Sequence, residues 1–337
     1  MSKFIERIHA MAKADPKKVV LPEGNDERTV EAGILAAEAG LAKITLIGDP
    51  KIMNDIAKVR NKKLDSVTII DEHNLPNLEE YAAEFYELRK HKGITKEEAM
   101  ERIKEPLYYG AMMVRKNVVD SFVAGDVNTT ADVCRAAIRV VGIKRGMSTL
   151  SSFFIMILPD ESFGEDGILA YADGGVVVDP DENQLSDIAI STAESFKMLV
   201  GREPRVAMIS FSTKGSATHA KINKVINATN ILKRKYPNLI VDGEMQIDAA
   251  LVPEICDVKA KGSPIAGKAN VLIFPDLDSG NVAYKITQRI GKALAFGPIL
   301  QGLKRPCSDL SRGASVNDIL NVVAINVVRW QCMESEK

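Results

Sequence analysis

Three residues near the carboxyl end of the chain place a hydroxyl, a guanidinium and a carboxylate around a predicted helix start: Ser311, Arg312 and Asp318. Ser315 and Asp318 also fit the capping box of a helix start, in which two side chains accept hydrogen bonds from backbone N–H groups. The apolar stretch Ile319–Trp330 predicts the helix itself. A helix start attracts anions, and an arginine fork fits phosphate or a polarised carbonyl. The segment is therefore either an ordinary capped helix or an anion site.

Two further arginines lie in settings that suit a phosphate group. Arg135 follows, by about one turn, a hydroxyl-rich helix start that contains Thr129 and Thr130. Arg89 belongs to the basic stretch Tyr86–Ile94, which is also typical of a solvated helix end, where the helix dipole favours cations. The charge pattern alone favours the solvated helix end for Arg89.

Motifs for other kinds of chemistry are incomplete. The stretch Gly262–Lys268 approaches a phosphate-binding P-loop, but Ala269 stands where a hydroxyl is needed, and a predicted strand follows instead of a helix. No G-x-G-x-x-G joins a strand to a helix, so a dinucleotide site has little support. G-x-S-x-G is also absent, and we interpret His219 as a polar residue of a helix rather than a triad base.

Charge and cysteine content argue against several classes of protein. The 44 basic and 45 acidic residues nearly cancel, whereas proteins that bind duplex DNA or anionic membranes normally carry a positive excess. The four cysteines lie far apart without a C-x-x-C pair, which favours neither a zinc site nor a disulfide scaffold. The central apolar run Phe153–Leu158 is far shorter than the about 20 residues that span a bilayer. We expect a soluble, cytoplasmic protein without a metal site.

The amino-terminal segment predicts an ordinary first helix. Phe4, Ile5, Ile8 and Met11 share one helical face, with basic residues elsewhere, which imitates an organellar presequence. The acidic residue Glu6 and the strand that soon follows weaken that interpretation.

Short β-rich runs alternate with longer helical stretches along the chain. Strands are predicted at Val19–Leu21, Ile44–Ile47, Ser121–Val123, Ser152–Leu158, Val206–Phe211, Ile240–Val241 and Val271–Phe274. Helices are predicted after Asn25–Arg28 and over Asp187–Val200, Lys214–Lys235 and Asn281–Ala295, with a turn at Gly48–Pro50 and a hairpin-like excursion at Pro159–Asn183. The alternation predicts an α/β protein with mostly parallel sheets. A length of 337 residues predicts two domains.

Several long motifs, in order, make the chain resemble the phosphate acetyltransferase (phosphotransacetylase) family over essentially its whole length. The motifs are Leu21–Arg28, Phe85–Gly93, Ser212–Ala217, Asp242–Ala250, Gly267–Leu277 and Asp309–Gly313. The resemblance implies the reaction acetyl-CoA + phosphate = CoA + acetyl phosphate, through a ternary complex. It also accounts for the near P-loop as part of the family's own pattern.

The resemblance assigns roles to the residues singled out above. It implies that Asp318 is the general base for the CoA thiol and that Ser311 and Arg312 stabilise the tetrahedral oxyanion. It implies that Arg89 and Arg135 bind the substrates, with Thr129 and Thr130 near the phosphate as a weaker expectation. No cofactor is implied, because coenzyme A is a substrate.

The family fold implies two α/β domains flanking a cleft, as in the isocitrate and isopropylmalate dehydrogenases. We expect residues 1–147 with 304–337 to form one domain and 148–303 the other, with the active site in the cleft. The resemblance also implies a homodimer, a place in acetate metabolism and acetate kinase as metabolic partner.

One departure and three alternatives bear on this interpretation. Relatives can carry a cysteine two residues after the Ser-Arg arginine, but Ala314 here cannot act as a nucleophile. The four cysteines present are better explained as buried apolar residues. The alternatives are a phosphate acyltransferase for longer chains such as butyryl, a non-catalytic phosphotransacetylase-like sensing module, and a decarboxylating dehydrogenase, which lacks its dinucleotide motif.

Overall fold

The computed structural model of the chain describes residues 2–335 and divides into two compact units. The two ends of the chain, up to Lys144 and from Leu303, form the first unit, and Arg145–Gly302 form the second. The predicted position of an active site between two domains stays a prediction.

The first unit is a parallel sheet whose strands are separated by helices along the chain. Its strands are β1 (Lys17–Leu21), β2 (Ala42–Gly48), β3 (Thr68–Asp71), β4 (Ser121–Ala124) and β11 (Cys307–Asp309). Its helices are α1 (Lys3–Ala14), α2 (Glu27–Glu38), α3 (Pro50–Val59), α4 (Leu78–Arg89), α5 (Lys96–Lys104), α6 (Pro106–Arg115), α7 (Thr130–Ala136) and α13 (Val316–Ser335). The strand order is β3-β2-β1-β4-β11, and every pair in it is parallel.

The second unit is a mixed sheet. Its strands are β5 (Ser151–Ile157), β6 (Ile168–Ala172), β7 (Arg205–Ile209), β8 (Ile240–Met245), β9 (Val271–Ile273) and β10 (Leu294–Gln301). Its helices are α8 (Glu182–Val200), α9 (Ala220–Lys235), α10 (Ile247–Leu251), α11 (Pro253–Lys259) and α12 (Leu277–Arg289). In the order β10-β5-β6-β9-β7-β8 the first two pairs are antiparallel and the rest are parallel. The mostly parallel α/β architecture is confirmed.

Burial explains why the central elements of the first unit form. The apolar residues Val19–Leu21 of β1 are buried, as a strand covered on both faces requires. The helix α13 packs on α2, α1 and the strands beside it, and its apolar stretch is buried over most of its length. Its start at Ser315 and Asp318 is exposed.

Several predicted boundaries were wrong, among them the starts of α8 and α12, which lie at Glu182 rather than Asp187 and at Leu277 rather than Asn281. Helix α9 begins at Ala220 rather than Lys214, because Lys214 and Gly215 have positive φ angles of 50° and 81° that end any helix there. Helix α12 ends at Arg289, and Leu294 already belongs to β10. The predicted turn at Gly48–Pro50 is instead a helix start, since Asp49 caps α3 and proline occupies its first turn.

The excursion at Pro159–Asn183 contains the return strand of a hairpin. Strands β5 and β6 pair antiparallel, with Phe153 opposite Ala172 and Ile157 opposite Ile168. None of the helices within residues 2–335 is both long and apolar enough to cross a membrane.

Candidate active site

The candidate site lies where three neighbouring parallel strands of the first unit, β1, β4 and β11, end. Asp309 at the end of β11 pairs with Ala124 at the end of β4, and Val19 of β1 pairs with Ser121 of β4. The loops after these strands therefore leave the sheet at one edge. Ligands in open α/β sheets bind at this carboxyl edge.

The loop after β11 carries Ser311 and Arg312 and leads into the capped start of α13. The backbone N–H and the hydroxyl of Ser315 both donate to Asp318 Oδ2, at 2.8 Å each, and the Asp318 N–H donates back to Ser315 Oγ at 3.2 Å. The capping box predicted from the sequence is confirmed by these reciprocal bonds. Asp318 is exposed, and its Oδ1 has no hydrogen-bond partner within residues 2–335.

Ser311 and Arg312 are both exposed at this edge. Ser311 Oγ accepts a hydrogen bond of 3.3 Å from the Gly313 N–H, which leaves its proton available to another acceptor. The Arg312 guanidinium makes no hydrogen bond or ion pair with any residue of the described chain. A serine hydroxyl and an unpaired arginine side by side can stabilise an oxyanion or bind a phosphate.

The loop after β4, residues 125–128, is shaped by one buried carboxylate from the loop after β1. Glu23 Oε2 accepts the N–H groups of Gly125 and Asp126 at 2.6 and 3.1 Å. Glu23 Oε1 accepts the N–H groups of Val127 and Asn128 at 3.2 and 2.7 Å, and Asn128 Nδ2 at 2.7 Å. Four consecutive backbone donors on one side chain fix the path of the loop.

Gly125 allows this loop to pass close to β11. Its φ of 119° lies in the region that side chains disfavour, and a Cβ there would come within 2.3 Å of Asp309 Oδ1 and 2.7 Å of the Leu310 nitrogen. No residue but glycine fits both the backbone angle and the space.

Thr129 and Thr130 begin α7, directly after the loop. Thr129 caps the helix, and its hydroxyl donates to Asp132 Oδ2 at 2.6 Å. The Thr130 hydroxyl donates to Asp309 Oδ2 at 2.6 Å. Arg135 is exposed and is ion-paired with Asp132. Through Asp309, the structure thus connects Thr130 to the strand that leads into Ser311.

Two buried carboxyl groups lie under the loops. Burial, together with the neighbouring charge of Glu23, raises the pKa of Asp126, whose Oδ1 accepts no hydrogen bond from the described residues. Although burial opposes ionisation of Glu23, hydrogen bonds from Asp126 and from the backbone of Asn128 and Gly125 keep the pKa of Glu23 below its usual value. We infer that Asp126 is the protonated member of this pair. Burial also raises the pKa of Asp309 to about 7.

Arg89 lies elsewhere in the first unit. It ends α4 and lines a cavity of about 640 Å³ together with Lys92, Arg102, Arg139 and several glutamates of α5. Neither Ser311 nor Arg312 lines that cavity. The structure therefore brings Thr129, Thr130, Ser311, Arg312 and Asp318 to one sheet edge, but does not place Arg89 in contact with them.

Comparison with known proteins decides the family. A model of the family described as "Phosphate acetyl/butaryl transferase" matches residues 3–327. The chain belongs to this family. A phosphate acetyltransferase of Acetivibrio thermocellus is 51% identical over 332 residues, which cover 98% of this chain and 99% of that protein.

Solved structures agree with the family assignment. The crystal structure of a phosphotransacetylase from Streptococcus pyogenes aligns with a TM-score of 0.92 and 37% identity, covering 98% of this chain and 99% of that one. A 4-hydroxythreonine-4-phosphate dehydrogenase from Burkholderia phymatum, at 10% identity and a TM-score of 0.52 over 93% of this chain and 98% of that one, shares the fold alone. The predicted similarity to a dehydrogenase architecture is confirmed at that level.

Four residues that hold the loops of the site by hydrogen bonds, among them Arg28 through the carbonyls of Asp126 and Arg312, were not among the predicted site residues. They are Glu23, Arg28, Asp126 and Asp309. Glu23 and Arg28 lie in the motif Leu21–Arg28 and Asp309 begins the motif Asp309–Gly313, so their motifs were recognised without their roles. Asp126 follows Gly125 directly and had no signal beyond that position.

The cysteines of this family member are free thiols, and Cys134, Cys256 and Cys307 are buried. Burial raises the pKa of Cys307 to about 12, which keeps it protonated and unreactive. Cys332 is partly exposed.

Ala314 is buried between the candidate residues, and its carbonyl accepts a hydrogen bond from Arg28. No group of three or more His, Cys, Asp or Glu side chains suited to a metal occurs in the part of the chain that the structure describes.

Proposed function

We propose that this protein is a phosphate acetyltransferase, which moves an acetyl group reversibly between coenzyme A and phosphate. The observation that carries the proposal is the near full-length similarity to phosphate acetyltransferases, at 51% identity in one relative. The exposed Ser311 and Arg312 at the carboxyl edge of the sheet supply the hydrogen-bond donors that such a transfer needs for its oxyanion.

In this proposal Asp318 is the general base. In the direction of acetyl-CoA synthesis, the CoA thiol gives its proton to Asp318 as sulfur attacks the carbonyl carbon of acetyl phosphate. The C–S bond forms, and the C–O bond to phosphate then breaks. A thiol with a pKa of roughly 8.5 is mostly protonated at neutral pH, so a base at the sulfur accelerates attack. The open Oδ1 of Asp318 can accept the proton while Oδ2 keeps the helix cap intact.

The oxyanion of the tetrahedral intermediate is stabilised by Ser311 and Arg312. Donors that are held in place before the charge develops give strong electrostatic stabilisation. Arg89 and Arg135 bind anionic parts of the substrates, and Thr129 and Thr130 lie near the phosphate. Arg135 is ion-paired with Asp132 through Nη1, and its remaining guanidinium donors can bind the substrate anion.

We also propose a cellular setting and a mode of assembly for this protein. The protein needs no cofactor beyond its substrates, works in the cytoplasm in acetate metabolism, and exchanges acetyl phosphate with acetate kinase. It forms a homodimer through an apolar face of α12. Val282 and Ile286 of α12 and Ile290, which directly follows it, are spaced by about one helical turn and are 55%, 52% and 77% exposed. A stripe of this kind on a helix is typical of a protein contact.

The experiment that tests the function is phosphate-dependent thiol release from acyl-CoA by purified protein. We expect rapid release from acetyl-CoA that requires phosphate, slower release from propionyl-CoA and still slower release from butyryl-CoA. A preference for butyryl-CoA would show that the transferred acyl group is longer than acetyl. Absence of release from all of them would identify a sensing module. An Arg312→Ala variant, expected to lose most activity, ties the release to the proposed site.

A further inference from the structure

The side chain of Arg28, in the first turn of α2, uses all its N–H groups within the protein. Nε and Nη2 donate to the two carboxylate oxygens of Asp26 at 3.0 Å each. Nη2 also donates to the Asp126 carbonyl at 2.8 Å, and Nη1 donates to the carbonyls of Arg312 at 2.8 Å and Ala314 at 3.1 Å. A guanidinium has five N–H donors in a fixed plane, and each of them has a partner here.

These contacts tie together two loops that are distant in sequence. Arg312 and Ala314 belong to the loop after β11, and Asp126 belongs to the loop after β4. Asp26, the anchor, is itself the cap of α2, because its Oδ1 accepts the Arg28 N–H at 2.8 Å. The guanidinium plane therefore has a fixed orientation relative to α2, and both loops are held relative to that plane.

Contacts that do not involve Arg28 also hold the loop after β4 around Asp126. The Thr29 hydroxyl donates to Asp126 Oδ2 at 2.6 Å, and Glu23 accepts four successive N–H groups of residues 125–128. Fewer hydrogen bonds hold the loop after β11: within residues 311–314 the Ala314 N–H donates to the Ser311 carbonyl at 2.8 Å, and Ser311 and Arg312 are exposed. The contacts from Arg28 to the Arg312 and Ala314 carbonyls join it directly to the rigid loop, in addition to the Thr130–Asp309 bond at its base.

We propose that Arg28 is a positioning residue for acyl transfer, which fixes the backbone of Arg312 relative to the loop that leads to Thr129 and Thr130. This rests on the proposed function and on the proposed reaction at Ser311 and Arg312. Arg28 does not need to contact the reactants. Its role is to set where the Ser311 hydroxyl and the Arg312 guanidinium point.

Chemistry makes this role specific to arginine. Lysine keeps the charge but has three donors around one atom, so it cannot satisfy Asp26 and carbonyls of two loops in one plane. Small misplacements of positioning groups reduce rates by about 100-fold while binding changes little. Substitution of Arg28 is therefore expected to lower kcat rather than to raise KM.

The test is the steady-state kinetics of Arg28→Lys, with Arg60→Lys as a matched control. Arg60, just after α3, forms ion pairs with two carboxylates of α2, Glu27 at 2.8 Å and Glu31 at 3.3 Å. It has no hydrogen bond or ion pair with the loops after β4 and β11 in the described chain. We expect Arg28→Lys to lower kcat about 10- to 100-fold with KM values for both substrates within about threefold, and Arg60→Lys to leave kcat unchanged. Guanidinium ion, well below denaturing concentrations, should restore part of the kcat of Arg28→Ala and none of that of Arg312→Ala.

A second variant covers the case in which Arg28→Lys does not fold. Asp26→Asn keeps the helix cap but removes the charge that orients Arg28, and it should lower kcat in the same direction by a smaller factor. Normal kcat in folded Arg28→Lys, or in Asp26→Asn if Arg28→Lys is unfolded, overturns the inference. So does a loss that appears only as raised KM and lowered thermal stability. If Arg312→Ala is fully active, the proposed site is wrong; if Arg312→Ala is inactive while Arg28→Lys is normal, only the role of Arg28 is wrong.

Discussion

At the scale of single residues, Asp318 shows how one side chain can serve structure and chemistry together. Its Oδ2 accepts two hydrogen bonds from Ser315, and its Oδ1 remains open. A capping interaction therefore does not exclude the proposed role as base. It orients the carboxylate, since the cap holds one of the two oxygens in place.

We predict that Asp318→Asn lowers kcat by about 10²- to 10⁴-fold, the usual contribution of a general base. The amide oxygen of asparagine still accepts from Ser315, so the free energy of unfolding should change by no more than about 1 kcal/mol. Acyl-transfer kinetics and urea unfolding measure the two effects. Asp181→Asn, the same substitution at the cap of α8, is the control and should keep full kcat. Full activity in Asp318→Asn would make Asp318 a cap and nothing more.

The two other predicted arginines should act on binding. Removing a cation that holds an anionic substrate weakens ground state and transition state alike, so KM rises and kcat is unchanged. We expect Arg89→Ala and Arg135→Ala each to raise one KM by about tenfold, corresponding to about 1.4 kcal/mol. Arg60→Ala, away from both, should raise neither. Unchanged KM values in both variants would remove these arginines from the site.

At the scale of elements, the site depends on three strands whose carboxyl ends meet. Buried carboxyl groups from these elements, Glu23, Asp126 and Asp309, organise the loops from below. Glu23 is held in its charged form by hydrogen-bond donors, whereas burial favours the neutral forms of Asp126 and Asp309. The loops are therefore sensitive to the protonation of groups that the substrates need not touch.

Asp309 should make the first unit less stable as the pH rises. Its pKa is about 7 in the folded protein because of burial, against an ordinary value of 3.8, so the folded state holds a proton that the unfolded state has lost between these values. This contribution is fully present below about pH 4 and is lost as the pH rises through 7, by up to about 1.4 kcal/mol per pH unit.

Urea unfolding midpoints measured from pH 5 to 8 test this expectation. Asp309→Asn keeps an acceptor for the Thr130 hydroxyl but cannot titrate, so its midpoint should vary less with pH than that of the unmodified protein. The exposed residue Asp65 gives a control, because Asp65→Asn should leave the pH dependence as it is. Identical pH dependence in all three proteins would mean that Asp309 is already charged when buried.

At the scale of the whole molecule, the first unit alone contains all the predicted site residues. It is assembled from both ends of the chain, so β11 and α13 arrive after the entire second unit has been synthesised. The second unit offers an exposed apolar stripe on α12, which is the basis of the proposed homodimer.

We predict that Ile286→Glu converts a dimer to a monomer, because a buried charge in an apolar contact costs several kcal/mol unless it is paired. Light scattering after size-exclusion chromatography gives the mass of each variant. Val258→Glu is the matched control, since Val258 is 84% exposed on α11 of the same unit, outside the stripe. A dimer that persists in Ile286→Glu would place the contact on another surface, and a monomeric unmodified protein would contradict the proposed assembly.

The amino-acid sequence by itself determined the features that depend on neighbours along the chain. Alternating strands and helices predicted the α/β class, and Ser315 with Asp318 predicted the start of α13 and its reciprocal hydrogen bonds. Among the boundary errors, those at the start of α9 and the end of α12 fell where backbone angles or strand pairing ended a helical pattern. These boundaries depend on contacts that local propensity does not contain.

Only the tertiary structure decided which distant residues support the site. Glu23 binds a loop 102 to 105 residues later in sequence, and Arg28 contacts Arg312 across 284 residues. Whether such pairs meet depends on which strands are neighbours, and no local pattern encodes that β4 lies between β1 and β11. The sequence was therefore enough to recognise a helix start that can bind anions, at Ser311, Arg312 and Asp318. The roles of Glu23 and Arg28, which hold the loops of the site, depend on the assembled sheet.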